Sequence, residues 1–299
     1  MTKETILSTG RAGMIGSRIE ELTSERVAWD IDLDLRTSGV DITDSKQVDE
    51  VIGASKGRII LHLAAFVDAR KAWEQRNDID GLCYRVNVLG TRNVAEAAAR
   101  YGKHLIHVST DFVFDGESIL PYVETTPRNP VEWYGETKRK AEEIVEEVGG
   151  HYTIMRIGFP YRAEYQGKGD YVRNIQNGLR NGTLPPQFQD NTTTPTFVDD
   201  IARAVEVIAI ERPEGIIHMV GSSPLSSYEL ARKVARLIGI DPDLVKEGSF
   251  TEYFAKAGRQ YPQHLYMSNA LAKQQLNIDL KDIDAGLAEL VYQQQKGLE

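Results

Sequence analysis

With 299 residues the chain has room for one large domain or two intimate ones, and for a substantial core. Its 35 Lys+Arg against 44 Asp+Glu leave a formal net charge of −9, without the basic footprint that a nucleic-acid partner requires, and 41% hydrophobic with 26% charged residues is far from a disordered composition. The single cysteine, Cys83, rules out an intramolecular disulfide and any multi-cysteine metal site, which points to a reducing, cytoplasmic setting.

In chain order, β-like runs at 5–8, 26–30, 58–63, 105–109 and 152–156 alternate with helix-like segments at 14–22, 45–52, 87–101 and 134–148, whose apolar residues recur at three and four. This alternation predicts βαβ units and an α/β, Rossmann-like, doubly wound parallel sheet. Beyond Arg156 the text turns rich in Gly, Asn, Thr and Pro, as in GTLPPQFQDNTTTPT, before strand and helix patterns resume at 197–210 and 216–220. Segments 228–238 and 268–295 read as helical, and Leu298-Glu299 reads as a non-native remnant. The N-terminal MTKETILSTG has no apolar signal region, and the longest apolar stretch, 59–67, is interrupted by His62 and far shorter than the roughly 20 residues of a bilayer span, so no membrane partner is expected.

The first strand runs into Gly10-Arg11-Ala12-Gly13-Met14-Ile15-Gly16, a G-x-x-G-x-x-G turn opening a helix. Glycines let backbone approach a pyrophosphate, and the helix N-terminus stabilises its charge, so a dinucleotide site is expected here. The bland alternative is a glycine turn without a ligand. Twenty residues past Gly10, Asp30 ends the second strand, where an acid accepts ribose hydroxyls; Asp32 and Asp34 alternate after it. Arg11 and Arg36 are cations that would meet a 2′-phosphate, so NAD versus NADP stays open. These readings give a dinucleotide-binding domain at 1–160, completed by about 196–220, and a smaller interleaved substrate-binding region at 161–195 and 221–299.

Tyr134 and Lys138 stand four apart at the head of a helix, on one face. An ammonium there lowers a phenol pKa and leaves the tyrosine able to move a proton to or from a carbinol oxygen. Y-x-x-x-K alone is common by chance; what gives it weight is Ser109-Thr110-Asp111, upstream at the C-terminal edge of a parallel strand. A diphosphate substrate needs cationic donors and an aromatic face, for which Phe159, Tyr161, Lys168, Arg173, Arg180 and Arg259 are the candidates, and Asp111 beside Thr110 is a further substrate-binding candidate. His104 and His107, three apart on a strand, point to opposite faces and cannot share a metal; they read as one core and one surface histidine. KRKAEEIVEE, 138–147, reads as the solvated face of its helix. No G-x-S-x-G elbow and no G-x-x-x-x-G-K-[ST] loop occurs.

The glycine turn, Asp41-Ile42, His62-Leu63-Ala64-Ala65, Asn87-Val88-Leu89-Gly90-Thr91 and the Tyr134/Lys138 pair together resemble the extended short-chain dehydrogenase/reductases over nearly the whole chain. Within them, Ser109-Thr110-Asp111-Phe112-Val113-Phe114-Asp115-Gly116, Pro121 to Glu124, Asn129-Pro130 and the turn 190–196, DNTTTPT, resemble the dTDP-4-dehydrorhamnose reductase branch of sugar-nucleotide reductases. The resemblance implies an NAD(P)(H)-dependent oxidoreductase acting on the 4-keto group of a nucleotide-linked deoxysugar. It implies Thr110 on the substrate carbonyl, Tyr134 as proton donor and Lys138 on the ribose, with Asp41 and Ile42 along the adenine and Leu63, Ala64 and Ala65 along the coenzyme's middle. It further implies a homodimer through the helices at 87–101 and 134–148. The branch's acidic residue after Val67-Asp68, its tryptophan at Phe159 and its Arg-Pro pair at Tyr261-Pro262 are absent, so the particular sugar is not carried over. Two alternatives stand beside the reductase: an NAD-dependent sugar-nucleotide 4-epimerase, and a non-catalytic cofactor-binding regulatory subunit like the methionine adenosyltransferase β subunit.

Overall fold

The apolar residues of the strands alternate between two destinations, and this alternation builds the sheet. In the computed structural model, which describes residues 3–297 and therefore not Leu298-Glu299, Ile6, Ile59, Leu61, Ile106, Met155 and Ile217 enter one core while Leu7, Ile60, Leu105 and Ile154 enter the other. Both faces of the sheet are thus covered, as parallel strands require. The elements run β1 Glu4–Thr9, α1 Met14–Thr23, β2 Val27–Asp32, α2 Ser45–Ala54, β3 Ile59–His62, α3 Ala69–Glu74, α4 Leu82–Tyr84, α5 Thr91–Arg100, β4 His104–Thr110, α6 Trp133–Val148, β5 Tyr152–Ile157, β6 Pro160–Tyr161, α7 Tyr171–Arg180, β7 Gln187–Phe188, β8 Thr196–Phe197, α8 Val198–Glu211, β9 Gly215–His218, α9 Ser227–Leu237, β10 Glu247–Gly248, α10 Phe250–Ala257, α11 Ala270–Leu276 and α12 Ile283–Lys296. The six-stranded sheet has the order β2-β1-β3-β4-β5-β9, with every pair parallel. Its connections reverse direction between β1 and β3, which opens a crevice beyond their carboxyl ends.

Local signals set several helix starts. Asp44 caps α2 by accepting from the Lys46 and Gln47 N–H groups, and Ser226 with Glu229 forms a capping box on α9. The helix expected from Asn87 begins earlier, as α4 followed by a wider π-type turn at Arg85–Gly90 that leads into α5. The helix expected over 268–295 is two: Asn277, at φ 51°, ends α11, and Ile278 and Leu280 turn into the larger core before Asp282 caps α12. Helices α3, α7 and α10 were not foreseen. A third core, with Tyr161, Val172, Phe197, Leu230, Val234 and Leu287, is built by β6, α7, β8, α9 and α12.

Two expectations about charged residues are corrected. His104 and His107 do face opposite sides of β4, yet both are buried, and His104 Nε2 lies 2.9 Å from Thr153 Oγ1. The run 138–147 is not wholly solvated: Glu142 is fully buried, accepting from Arg156 Nε and Nη2 at 2.9 and 2.6 Å and from Arg128 Nη1 at 3.1 Å. A carboxylate buried between two arginines holds α6 onto β5, and removing one partner of such a pair leaves an uncompensated charge. Glu142→Gln is therefore expected to cost about 3–5 kcal/mol of stability, read as a lowered denaturant midpoint in equilibrium unfolding.

Candidate active site

The crevice at the β1/β3 switch point is a cleft of about 780 Å³. On one side runs the glycine turn. Gly10 has φ 69°, and a Cβ there would meet the Ala64 backbone N at 2.9 Å; a Cβ on Gly16 would meet Arg11 O at 2.5 Å. These two glycines are needed by the fold itself. A Cβ on Gly13 would meet only Gly10 O, at 3.1 Å, and Gly13 borders the cleft, so it is the glycine that leaves room for a ligand. Gly13 is also the N-cap of α1, with no side-chain cap and no acidic residue in the first turn, so the helix presents uncompensated N–H groups and a positive end. Met14, Ile15 and Gly16 line the same wall.

The acidic residue at the end of β2 is a correction. Asp30 turns away and accepts from Ser55 Oγ at 2.5 Å, whereas Asp32 Oδ1 accepts from the Arg11 N–H and Ser8 Oγ, both at 3.0 Å, and so holds the turn's shape. Because β2 runs on to Asp32, the register is two residues later than expected. The Arg11 side chain also leaves the cleft: it lies 5.3 Å over the Trp29 ring and donates to Asp30 O. Farther along, Asp34 and Arg36 border the cleft as an ion pair at 3.2 Å, followed by Asp41 and Ile42.

Leu63, Ala64 and Ala65 form the floor, fixed by polar groups behind it. Thr9 Oγ1 accepts from the Ala64 N–H at 2.9 Å and contacts His62 Nδ1 at 2.7 Å, and His62 Nε2 reaches Thr91 Oγ1 at 3.0 Å. Asn87 brackets Phe66, accepting from its N–H at 2.7 Å and donating to its carbonyl at 3.1 Å.

At the centre stand Thr110 and Asp111 from the end of β4 and Tyr134 and Lys138 from the first turns of α6, all lining the cleft. The start of α6 is set by Glu132, whose carboxyl accepts from the Tyr134 and Gly135 N–H groups at 3.0 and 2.5 Å. Burial pushes the Tyr134 phenol above its ordinary value; the Thr110 hydroxyl opposes this, and Asp111, Glu132 and Cys83 add to it. The net lowering of the phenol expected from Lys138 is not found, because burial outweighs it; the ammonium itself donates to Val108 O at 2.8 Å and lies 3.3 Å from His107 Nε2. Thr110 Oγ1 donates to Asp111 Oδ1 at 2.9 Å, and Asp111 Oδ2 has no partner among the described residues. Gly158 makes room for that carboxyl, since a Cβ would stand 2.8 Å from Oδ2.

Of the substrate candidates, Asp111, Phe159 and Lys168 line the cleft; Phe159 holds a left-handed φ of 42°, a strained conformation of the kind found at binding sites. The others are corrections. Tyr161 is buried in the third core against Phe197, with ring centroids 5.5 Å apart, because β6 pairs with β8 and turns its ring inward. Arg173 is consumed by Asp170 at 2.6 Å and Tyr165 O at 2.7 Å. Arg259 stands behind the lining, 5.2 Å over the Tyr261 ring, and Arg180 is exposed at the end of α7. Tyr261, singled out in the sequence only as standing where the branch's Arg-Pro pair is absent, is a lining residue, edge-on to Phe112 at 5.0 Å. Among the described residues no cluster of three or more His, Cys, Asp or Glu is placed to hold a metal, and no helix is long and apolar enough to cross a membrane.

The family profile described as RmlD substrate binding domain matches residues 4–296. A dTDP-4-dehydrorhamnose reductase of Mycobacterium tuberculosis is 30% identical over 261 residues, covering 86% of this chain and 83% of the relative. A dTDP-4-keto-6-deoxy-D-glucose reductase of Streptomyces niveus is 27% identical over 241 residues, with 80% and 81% covered. The crystal structure of dTDP-4-dehydrorhamnose reductase from Bacillus anthracis in complex with NADP is similar throughout, with a TM-score of 0.87 at 26% identity, over 98% of this chain and 100% of that one.

Burial holds the Asp111 carboxyl up at about 7, with the Thr110 hydroxyl and nearby N–H groups opposing. Its folded value lies above the unfolded value of about 3.9, so the folded chain keeps a proton that the unfolded chain loses, and stability falls as pH rises through that window. Asp111→Asn is therefore expected to gain stability relative to wild type between pH 4 and pH 8 in urea unfolding. An effect constant across that range would contradict a neutral buried acid.

Proposed function

The chain belongs to the RmlD substrate-binding-domain family within the extended short-chain dehydrogenase/reductases, and from that premise we propose that it is an NAD(P)-dependent reductase of the 4-keto group of a dTDP-linked deoxysugar. The observation that carries this reading is the convergence of Thr110, Tyr134 and Lys138 on the cleft that begins at the uncapped glycine turn. The coenzyme fits these residues: Gly10, Gly13, Met14, Ile15 and Gly16 would take its pyrophosphate, Asp41 and Ile42 its adenine, and Leu63, Ala64 and Ala65 its middle, with Lys138 and Tyr134 at the nicotinamide ribose. When bound, it supplies the hydride.

The protein's own share is proton transfer and orientation. The Tyr134 phenol and the Thr110 hydroxyl, which turns its one hydrogen from Asp111 Oδ1 to the substrate, bind the carbonyl oxygen and stabilise its developing charge. The raised phenol value keeps Tyr134 protonated, as a proton donor to an alkoxide must be. Lys138 adds positive charge behind it. Asp111 and Phe159, at the edge of the dinucleotide-binding part, and Lys168, from the substrate-binding region 161–195 and 221–299, contact the nucleotide sugar. Helices α5 and α6 pair across a two-fold axis in a homodimer, supported by the exposed Leu82 and Leu89 just before α5. The lone buried Cys83 is consistent with a cytoplasmic location.

Tyr134→Phe removes the proton relay and leaves the shape of the cleft intact. Turnover of a dTDP-4-keto-6-deoxyhexose is expected to fall about 10²–10⁴-fold while nucleotide-sugar affinity by calorimetry stays within a few-fold. Full turnover in this variant would sink the mechanism.

A further inference from the structure

Lys138 is 2% exposed, and an ammonium taken out of water needs acceptors. It has three N–H donors and no lone pair. Val108 O takes one at 2.8 Å, and the nearest remaining group in β4 is His107 Nε2 at 3.3 Å. An ammonium only donates, so Nε2 must present its lone pair, and the neutral ring then carries its proton on Nδ1. That nitrogen is buried and has no partner among the described residues. A buried donor left unmade is unfavourable, yet the histidine is fully buried in the middle of β4. Stability alone does not explain it.

We propose that His107 is a positioning residue for the reductase reaction: its Nε2 lone pair, with Val108 O, fixes the Lys138 ammonium in its charged form against β4 and leaves one N–H for the cleft. The surroundings leave that role to His107. From β3, His62 lies with its ring 5.3 Å from that of His107, and burial lowers both imidazoles, His62 to about 3 and His107 well below its ordinary value, so both stay neutral. From α6, Glu142 attracts Lys138 but is already bound by Arg156 and Arg128, and Tyr134 is protonated. From α4, burial raises the Cys83 thiol to about 11. Desolvation lowers Lys138 itself to about 8, with Glu142 and Cys83 opposing, so a lost acceptor would uncharge it near neutral pH.

The catalytic meaning rests on the reductase reading, whereas the two following NMR measurements need neither coenzyme nor substrate. In wild type, long-range ¹H–¹⁵N spectra are expected to show His107 with an unprotonated Nε2 and a protonated Nδ1; the opposite tautomer would overturn the proposal without any variant. Titration of the Lys138 ε-carbon in ¹³C-lysine protein is expected to move down by at least one pH unit in His107→Phe and to return toward wild type in His107→Gln, whose amide oxygen reaches as far as Nε2. The alkaline limb of kcat should shift in parallel. An unchanged Lys138 midpoint in His107→Phe, or a His107→Gln indistinguishable from His107→Phe, would overturn it. Loss of turnover in wild type with the NMR results intact would instead count against the reductase reading alone.

Discussion

Burying an ammonium between a helix and a strand is the constraint on which the site depends. Lys138 has to find acceptors in β4, which fixes the rotation of α6 about its axis and its height along the strand. Residues four apart on that helix share a face, so Tyr134 is carried to the end of β4 beside Thr110 and Asp111, and Glu142 is carried down to Arg156 on β5. One helix face thus holds a proton donor, a cation and an anion in order, running from the cleft into the core. The Glu142 pair anchors the lower end to β5, and the Glu132 carboxyl caps the first N–H groups of the upper one.

The second half of the cleft is tied to the first by arginine and tyrosine contacts. Arg162 donates to Met14 O at 3.0 Å and to Ser17 Oγ at 2.9 Å, and pairs with Glu21 at 2.9 Å, so the segment after β6 grips α1 just past the glycine turn. Tyr165 donates to Ala12 O at 3.2 Å. Any displacement of this segment is therefore coupled to the wall that borders Gly13.

The sheet, the glycine turn and the Thr110/Tyr134/Lys138 group were legible because each is written locally: short β-like runs alternating with helical segments, glycines at fixed offsets, a four-residue helical spacing. What failed depended on distant partners. The alternation Asp30, Asp32, Asp34 gives the parity of the strand but not where β2 stops, and only pairing with β1 shows that Asp32 supports the turn. Glu142 looks like its solvated neighbours until Arg156 arrives from β5. Tyr161 is claimed by Phe197, distant in sequence; Arg173 is the exception, taken by a local partner, the helix-capping Asp170 three residues before it. Tyr261 stands where the branch's Arg-Pro pair is absent, and its place in the lining comes from aromatic packing against Phe112 and Phe254.

The most direct test of the central claim is stoichiometry. Purified protein mixed with a dTDP-4-keto-6-deoxyhexose and NADPH or NADH should consume one reduced coenzyme for each 4-hydroxy sugar formed, followed by absorbance and by product NMR. Epimerised sugar formed without net coenzyme consumption, or coenzyme bound without any turnover, would contradict a reductase.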